Sequence, residues 1–179
     1  DVIGLNKNGI ENVVANLGTS LTDRQILILN QFFEDIIICF DGDESGYKAA
    51  LRAAENSIKE LQPEKQISFL FLPDGEDPDS YANKNGREKF IDFTKQTKIS
   101  IHQFIFNHYK KQTENNPSSM AIFEKKLRSI ATTIKDNFIK KYVLEYFLEQ
   151  ISTLTPHSNQ NKKQIYLEKV RGVIQVPAD

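Results

Sequence analysis

Two pairs of aspartates in this sequence are candidates for a catalytic or metal-binding site. Each pair follows a run of apolar residues. Asp41 and Asp43 come directly after residues 36–40, and Asp77 and Asp79 follow a second apolar run. If the two runs are neighbouring parallel strands, both pairs lie at the carboxyl edge of one sheet, where α/β proteins bind ligands. Carboxylate oxygens are the ligands that Mg²⁺ prefers. Four such residues at one edge outline a two-metal centre for phosphate chemistry.

A plainer interpretation of each pair is that aspartate and glycine are simply turn residues. Asp-Gly and Asp-Pro are among the commonest turn dipeptides, and either segment alone favours this interpretation. The repetition of the pattern after two separate apolar runs favours a site instead. Gly42 and Gly46 accompany the first pair, and glycine lets the backbone turn sharply and approach a ligand closely. Both glycines are therefore candidate neighbours of the site.

The residues before position 73 alternate between strand patterns and helix patterns. Apolar or β-branched segments predict strands at residues 11–17, 36–40 and 67–72. Thr22 followed by Gln25 is a capping-box pattern that predicts the start of a helix, after a turn at residues 18–20. The alanine-rich residues 47–61 predict a second helix. Strands that alternate with helices are typical of a mainly parallel sheet, so this part is expected to be an α/β domain.

The pattern changes near residue 98, and no strand is predicted from residue 100 onward. Helices are expected at about residues 100–113, 119–134, 136–153 and 160–171. Aromatic residues recur in these segments, namely Phe104, Phe106, His108, Tyr109, Tyr142, Tyr146 and Phe147. Their positions favour a bundle core over a base-stacking surface. The sequence thus predicts two domains, residues 1–97 and residues 98–179.

The composition limits the class of protein. Hydrophobic residues make up 39% of the chain and charged residues 26%, which is typical of a globular fold. No apolar run approaches the roughly 18 residues of a membrane span, and no signal peptide is visible, so no membrane partner is expected. The single cysteine, Cys39, cannot form an internal disulfide, which fits a reducing, cytoplasmic location. The first residue is Asp1 and not Met, so the chain is expected to be an interior piece of a longer protein.

Charge is distributed unevenly, although the net charge is only −1. Residues 41–79 contain ten acidic and four basic residues, a balance of −6. Residues 95–176 contain fourteen basic and six acidic residues, a balance of +8. This pattern is compatible with an ordinary solvated surface. It equally fits a protein whose first region holds cations while its second region faces a polyanion.

Four segments, in this order, closely resemble the catalytic core of bacterial DNA primases. They are Asp1-Val-Ile-Gly, Asn16-Leu-Gly-Thr-Ser20, Phe40-Asp-Gly-Asp43 with Gly46, and Leu72-Pro-Asp-Gly-Glu-Asp-Pro-Asp79. The resemblance is specific over residues 1–97, whereas residues 98–179 are similar only in position and helicity. It implies a Toprim domain joined to a helical subdomain. It also implies an enzyme that synthesises short RNA primers on single-stranded DNA for replication.

The resemblance implies a role for the acidic residues of these motifs. The residues expected to hold divalent cations, Mg²⁺ or Mn²⁺, are Asp41, Asp43, Asp77 and Asp79. Asp41 and Asp43 are the expected catalytic pair. Asp1 matches the last residue of the family's Glu-Gly-Tyr-Met-Asp stretch, so it is expected near the same site as Gly42 and Gly46. The glutamate of that stretch would lie four positions before Asp1, outside this sequence.

The same resemblance implies partners and missing parts. The expected partners are a single-stranded DNA template, ribonucleoside triphosphates and the replicative helicase. The helicase would bind through a domain that this sequence does not contain, and a zinc ion is expected in another such domain. With these parts and the glutamate missing, the chain alone is expected to be inactive or weakly active.

Three other functions stay open on the sequence alone. A phosphohydrolase of the haloacid dehalogenase type also places Asp-x-Asp after a strand and uses the first aspartate as nucleophile. That class usually has Thr or Val two residues after the second aspartate, where this chain has Ser45. A non-enzymatic nucleic-acid or partner-binding module is the second alternative. The third is the Toprim domain of a topoisomerase or recombination mediator, which would need a catalytic tyrosine domain or a zinc motif.

Overall fold

The structure is a computed structural model, and it describes residues 1–16 and 21–154. Its strands are β1 (Asp35–Phe40), β2 (Gln66–Phe71) and β3 (Ile99–Ser100). Its helices are α1 (Val2–Lys7), α2 (Asp23–Phe32), α3 (Glu44–Ser57), α4 (Pro78–Thr97), α5 (Ile101–Lys111), α6 (Pro117–Thr132) and α7 (Asn137–Leu154). A short 3-10 helix, Ile58–Glu60, extends α3.

The described strands form one sheet in the order β1-β2-β3. β1 and β2 are parallel and pair over six residues, from Asp35 opposite Gln66 to Phe40 opposite Phe71. β3 is antiparallel to β2 and pairs over two residues. The predicted strands at 36–40 and 67–72 are therefore confirmed. The sheet as a whole is mixed, because the chain returns along the far side of β2 before it enters the helical part.

Three predicted helices of the second half are confirmed as α5, α6 and α7, and the capping box of Thr22 and Gln25 is present at the start of α2. The predicted turn at 18–20 and the predicted helix at 160–171 lie outside the described residues. The predicted strand at 11–17 is wrong for residues 11–16, which form neither helix nor strand. Val14 is 72% exposed there, so its β-branched side chain has no sheet surface to pack on.

The two faces of the sheet bury different sets of residues. On one face, Phe69 lies in the larger core with residues from α2, α3 and α5–α7. On the other face, Leu70 contacts a smaller cluster that contains Leu5 of α1 and Phe90 of α4. The alternation of Phe69 and Leu70 follows from the two-residue period of a strand. The division at residue 97 stays a prediction, since the larger core contains side chains from both sides of it.

The aromatic residues of the helical half mostly pack as expected. Phe104, Phe106 and Phe147 are buried in the larger core. Tyr142 is an exception, since it is 60% exposed. The buried stripe of α7 runs through Val143, Phe147 and Ile151 at four-residue spacing, so Tyr142 points away from it.

Candidate functional site

Asp43 is the N-cap residue of α3 and lies three residues after the end of β1. Its Oδ1 accepts a hydrogen bond of 2.6 Å from the backbone N–H of Gly46, so the side chain caps the helix. Asp43 Oδ2 accepts no hydrogen bond from the described residues. The first predicted aspartate pair therefore lies on a three-residue loop between a strand and a helix N-terminus, where partial positive charge favours anions.

Asp77 is the N-cap residue of α4, after β2, in the same way. Its Oδ1 accepts a hydrogen bond of 2.7 Å from the backbone N–H of Ser80. The hydroxyl of Ser80 accepts one of 2.9 Å in return from the backbone N–H of Asp77. Pro78 occupies the first helical position, where its fixed φ favours a helix start. Two adjacent parallel strands thus each deliver one aspartate as the N-cap of the following helix.

Gly42 lies where the loops after β1 and β2 touch, and Gly46 lies where the first of these loops turns on itself. A Cβ on Gly42 would lie 2.1 Å from the carbonyl oxygen of Pro73, and a Cβ on Gly46 would lie 2.4 Å from that of Asp41. Real Cβ atoms do not approach oxygen so closely, so a side chain at Gly42 would push the two loops apart, and a side chain at Gly46 would distort the loop after β1. Close approach of backbones is a common reason for glycine at a site.

Asp41, Asp43 and Asp77 share one electrostatic environment. The pKa of the Asp41 carboxyl is raised, first by partial burial and then by repulsion from Asp43 and Asp77. No described residue donates a hydrogen bond to either oxygen of Asp41. Three of the four predicted metal ligands therefore interact across the two loops.

Asp79 and Asp1 belong to a neighbouring part of the structure. Asp79 lies in the first turn of α4 and accepts a hydrogen bond of 2.8 Å from the side chain of Asn83. Its Oδ1 lies 1.7 Å from the place where a Cβ on Gly4 would stand, so this carboxylate packs against α1. Asp1 is the N-cap residue of that helix, without a hydrogen bond from its side chain to the helix.

Glu76 directly precedes Asp77 in the sequence, and its carboxylate already has other partners. Its carboxylate forms an ion pair of 2.8 Å with Lys84 and accepts a hydrogen bond of 2.7 Å from the hydroxyl of Ser80. The hydrogen bonds from Lys84 and then Ser80 lower the pKa of Glu76. Glu76 therefore stabilises the loop, and its charge is already neutralised by a lysine.

The carboxylates at this edge of the sheet form an open site, which would supply only some of the ligands of a bound cation. Within residues 1–16 and 21–154, no three Asp, Glu, His or Cys side chains are arranged closely enough to hold a metal ion. Mg²⁺ often takes only one or two carboxylates and completes its shell with water and substrate phosphates. The free oxygens of Asp41, together with Oδ2 of Asp43, fit such a hydrated ion. They do not form a closed cage made of protein ligands alone.

A cleft of about 950 Å³ opens in front of Asp41 and Asp43. The last two turns of α5 form part of its wall and contribute Asn107, Lys110 and Lys111. The cleft is also lined by residues that the sequence did not indicate as site residues, namely Glu44, Tyr47, Phe71, Leu72, Asp74, Gly75, Ile99 and Phe104. The basic balance of residues 95–176 was the one available signal for the lysines. It did not indicate which basic residues line the same cleft as the carboxylates.

No helix among the described residues is long and apolar enough to cross a membrane.

Comparison with known proteins assigns the fold and the family. Residues 1–71 match the family model of the Toprim domain. The chain is 40% identical over 114 residues to a DNA primase of Haemophilus influenzae, which covers 64% of this chain and 19% of that primase. It is 34% identical over 169 residues to a DNA primase of Rickettsia prowazekii, which covers 89% of this chain and 28% of that primase.

Solved structures agree with these relatives. A DNA primase domain from Pseudomonas aeruginosa superimposes with a TM-score of 0.78 at 32% identity, over 91% of this chain and 50% of that chain. A DnaG primase catalytic domain bound to single-stranded DNA superimposes with a TM-score of 0.77 at 31% identity, over 83% of this chain and 48% of that chain.

The fold and the paired aspartate loops define a Toprim-domain protein followed by a helical part, as the sequence predicted. The chain belongs to the bacterial DNA primases and corresponds to part of their catalytic core. It spans 19% and 28% of the length of the two primases and about half of each solved chain. The haloacid dehalogenase alternative is therefore wrong, because that class shares only the Asp-x-Asp spacing.

Proposed function

We propose that this chain forms part of the RNA polymerase core of a DNA primase, which makes short RNA primers on single-stranded DNA during replication. The observation that carries the proposal is the meeting of Asp41, Asp43 and Asp77 at the ends of two parallel strands, in a chain whose relatives are DNA primases. The activity belongs to the complete primase, of which the matched segment is a minor part of the length.

The proposed reaction is nucleotidyl transfer. The primer 3′-hydroxyl oxygen attacks the α-phosphorus of a ribonucleoside triphosphate, the bond from that phosphorus to the bridging oxygen breaks, and pyrophosphate leaves. The hydroxyl proton passes to solvent or to a base. A bound Mg²⁺ or Mn²⁺ would make the hydroxyl more acidic and neutralise charge on the phosphates.

The aspartates have distinct tasks in this proposal. Asp41 and Asp43 offer oxygens that no described residue engages, so they are the proposed catalytic metal ligands. Asp77 and Asp79 complete the proposed set through Oδ2, because Oδ1 of each accepts a hydrogen bond within α4. Gly42 permits the contact between the two loops, and Gly46 permits the tight turn of the loop that holds Asp41 and Asp43.

The proposed partners follow from the reaction and from one relative. A similar DnaG catalytic domain has been solved with single-stranded DNA, which supports a single-stranded template for this chain. Ribonucleoside triphosphates are the proposed substrates. The replicative helicase is a proposed partner of the complete primase, through a region outside this chain.

The test is primer synthesis by the complete primase that carries this segment. Asp41→Asn and Asp43→Asn should each lower the rate roughly 10²-fold or more, as expected for loss of a group that stabilises the transition state. Asp92→Asn on the exposed side of α4 is the matched control and should leave the rate unchanged. Near-normal primer yields from both site variants, with either Mg²⁺ or Mn²⁺, would refute the assignment.

A further inference from the structure

The part of the cleft wall that α5 forms carries two adjacent lysines. Lys110 and Lys111 lie in the last turn of α5 and line the same cleft as Asp41 and Asp43. Both side chains are exposed, and neither forms an ion pair with a carboxylate of the described residues. Their positive charges are therefore available to a ligand in the cleft.

Aromatic contacts fix this wall relative to the aspartate loop. The ring of Tyr47 in α3 lies 5.4 Å from that of Phe104 in α5, and its hydroxyl is 3.0 Å from Nδ1 of His108. The backbone N–H of Tyr47 donates to the carbonyl oxygen of Asp43 at 3.0 Å. Nζ of Lys111 lies 5.9 Å from the centre of the Tyr47 ring. One tyrosine thus connects the capping aspartate of α3 to the lysine wall.

A cleft lined by both carboxylates and lysines matches a polyphosphate that carries bound cations. Carboxylates hold divalent cations, which bind phosphate oxygens, whereas ammonium groups contact such oxygens directly. The volume of about 950 Å³ is in the usual range for small-molecule sites, roughly 300–1,000 Å³. Two adjacent lysines are a short contact surface, whereas single-stranded nucleic acid is usually bound along a groove of about 4–16 nucleotides.

We propose that Lys110 and Lys111 bind the polyphosphate of the incoming ribonucleoside triphosphate and then the pyrophosphate that leaves. Asn107, one turn earlier on the same wall, lies beside them and offers an amide donor. This inference rests on the proposed function, and it assigns to α5 a direct part in substrate binding. The lysines also stabilise α5 itself, because positive charges in the last turn of a helix interact favourably with the helix dipole.

The experiment compares Lys110→Gln and Lys111→Gln with the double variant in the complete primase. The matched control is Lys125→Gln/Lys126→Gln, an adjacent lysine pair on α6 outside the cleft. Four quantities are measured: the KM for nucleotide during primer extension, kcat, the Kd for single-stranded DNA, and the Tm. Binding of inorganic triphosphate is measured by calorimetry, so one result does not depend on turnover.

Loss of a charge-assisted hydrogen bond should raise the nucleotide KM roughly tenfold or more per lysine. Triphosphate binding should weaken in parallel, while the DNA Kd and the Tm stay close to those of the control. Lys111→Arg should recover part of the loss, because arginine keeps the charge. Unchanged nucleotide KM and triphosphate binding would overturn the proposal, as would a weakened DNA Kd with normal nucleotide KM. A wild-type primase that binds triphosphate through these lysines yet makes no primer would refute the proposed function and leave this inference standing.

Discussion

Gly4 and Asp79 are in contact so close that no side chain fits at position 4. An ideal Cβ on Gly4 would lie 1.7 Å from Oδ1 of Asp79. The same oxygen accepts a hydrogen bond from Asn83, whose own side-chain oxygen accepts one of 2.8 Å from the amide of Asn8. The orientation of the Asp79 carboxylate is therefore set by α1, through one glycine and a pair of asparagines.

Gly4→Ala is expected to destabilise the protein, against the usual trend for helices. Replacement of glycine by alanine inside an exposed helix normally stabilises it by roughly 1 kcal/mol. Here the new methyl group must displace Asp79 or move α1 away from α4, and overpacking of this kind typically costs about 1–3 kcal/mol. Denaturant unfolding of wild type and Gly4→Ala measures the sign directly.

The matched background for this prediction is Asp79→Ala. Removal of the carboxylate opens the space that the Gly4→Ala methyl group needs, so the same substitution should become neutral or stabilising there. A double-mutant cycle isolates this coupling between the two positions. Equal effects of Gly4→Ala in both backgrounds would show that the contact does not control the packing of α1.

Divalent cations are expected to raise the Tm of the chain at neutral pH. Burial and two neighbouring carboxylates raise the pKa of Asp41, which means that its charged form is disfavoured in the native state. This penalty is complete at neutral pH and is relieved as pH falls through the raised pKa. A cation that binds the native state and not the unfolded chain relieves it without acid. Thermal melts with and without millimolar MnCl₂ test this.

Asp43→Asn separates charge from capping in the same experiment. Asparagine is about as good an N-cap as aspartate, so the hydrogen bond from Gly46 should survive. Without metal, the variant should be at least as stable as wild type, because one repelling charge is gone. Its response to MnCl₂ should be smaller, because one proposed ligand is gone. A variant that is less stable without metal, beside a wild type that ignores metal, would mean that Asp43 is only a turn residue.

The ion pair of Glu60 and Lys135 is expected to be important for joining the α/β part to the helical part. Glu60 is 4% exposed at the end of the 3-10 helix, and its carboxylate contacts Lys135 in the segment between α6 and α7. Lys135→Met would leave a buried carboxylate without its partner, at an expected cost of about 2–3 kcal/mol in unfolding free energy. Glu60→Gln/Lys135→Met should recover part of the loss, because the amide carries no charge. Urea unfolding compares both variants with wild type.

The parts of this fold that the sequence predicted are those with local signals. Apolar runs identified β1 and β2, and the capping pattern of Thr22 and Gln25 identified α2. The placement of Asp43 at a strand end also followed from neighbouring residues alone. The parallel pairing of the two strands then brought the aspartate loops together, as expected from α/β topology.

The parts that could not be predicted depend on contacts between distant residues. The six-residue helix α1 has no side-chain cap, and its Leu5 is buried with Phe90 of α4, so tertiary packing stabilises it. β3 is two residues long and exists only because β2 offers an edge. Lys110 follows Asp43 by more than sixty residues, and no local pattern indicates that the two line one cleft.

Acid is expected to destabilise the protein through His102. Its ring lies edge-on to Tyr146 with ring centres 4.7 Å apart, and Nε2 is 2.9 Å from the hydroxyl oxygen of Ser100. Burial lowers the pKa of His102 below its ordinary value of 6.5. As pH falls through 6.5, the unfolded chain takes up a proton before the native chain does, so the free energy of unfolding decreases until the pH reaches the native pKa.

His102→Gln should therefore lose less stability than wild type as pH falls from 7 towards 5, a range above the ordinary pKa values of exposed carboxyls. His108 shows a shift of the same direction, again mainly from burial, so some pH dependence should remain in the variant. Adding His108→Gln to His102→Gln should reduce the remaining pH dependence of stability further. The double variant is therefore compared with the single one. Urea unfolding at half-unit pH steps gives the slope for each protein. A slope for His102→Gln equal to that of wild type would show that the native ring takes up its proton as readily as the unfolded one, contrary to its burial against Tyr146.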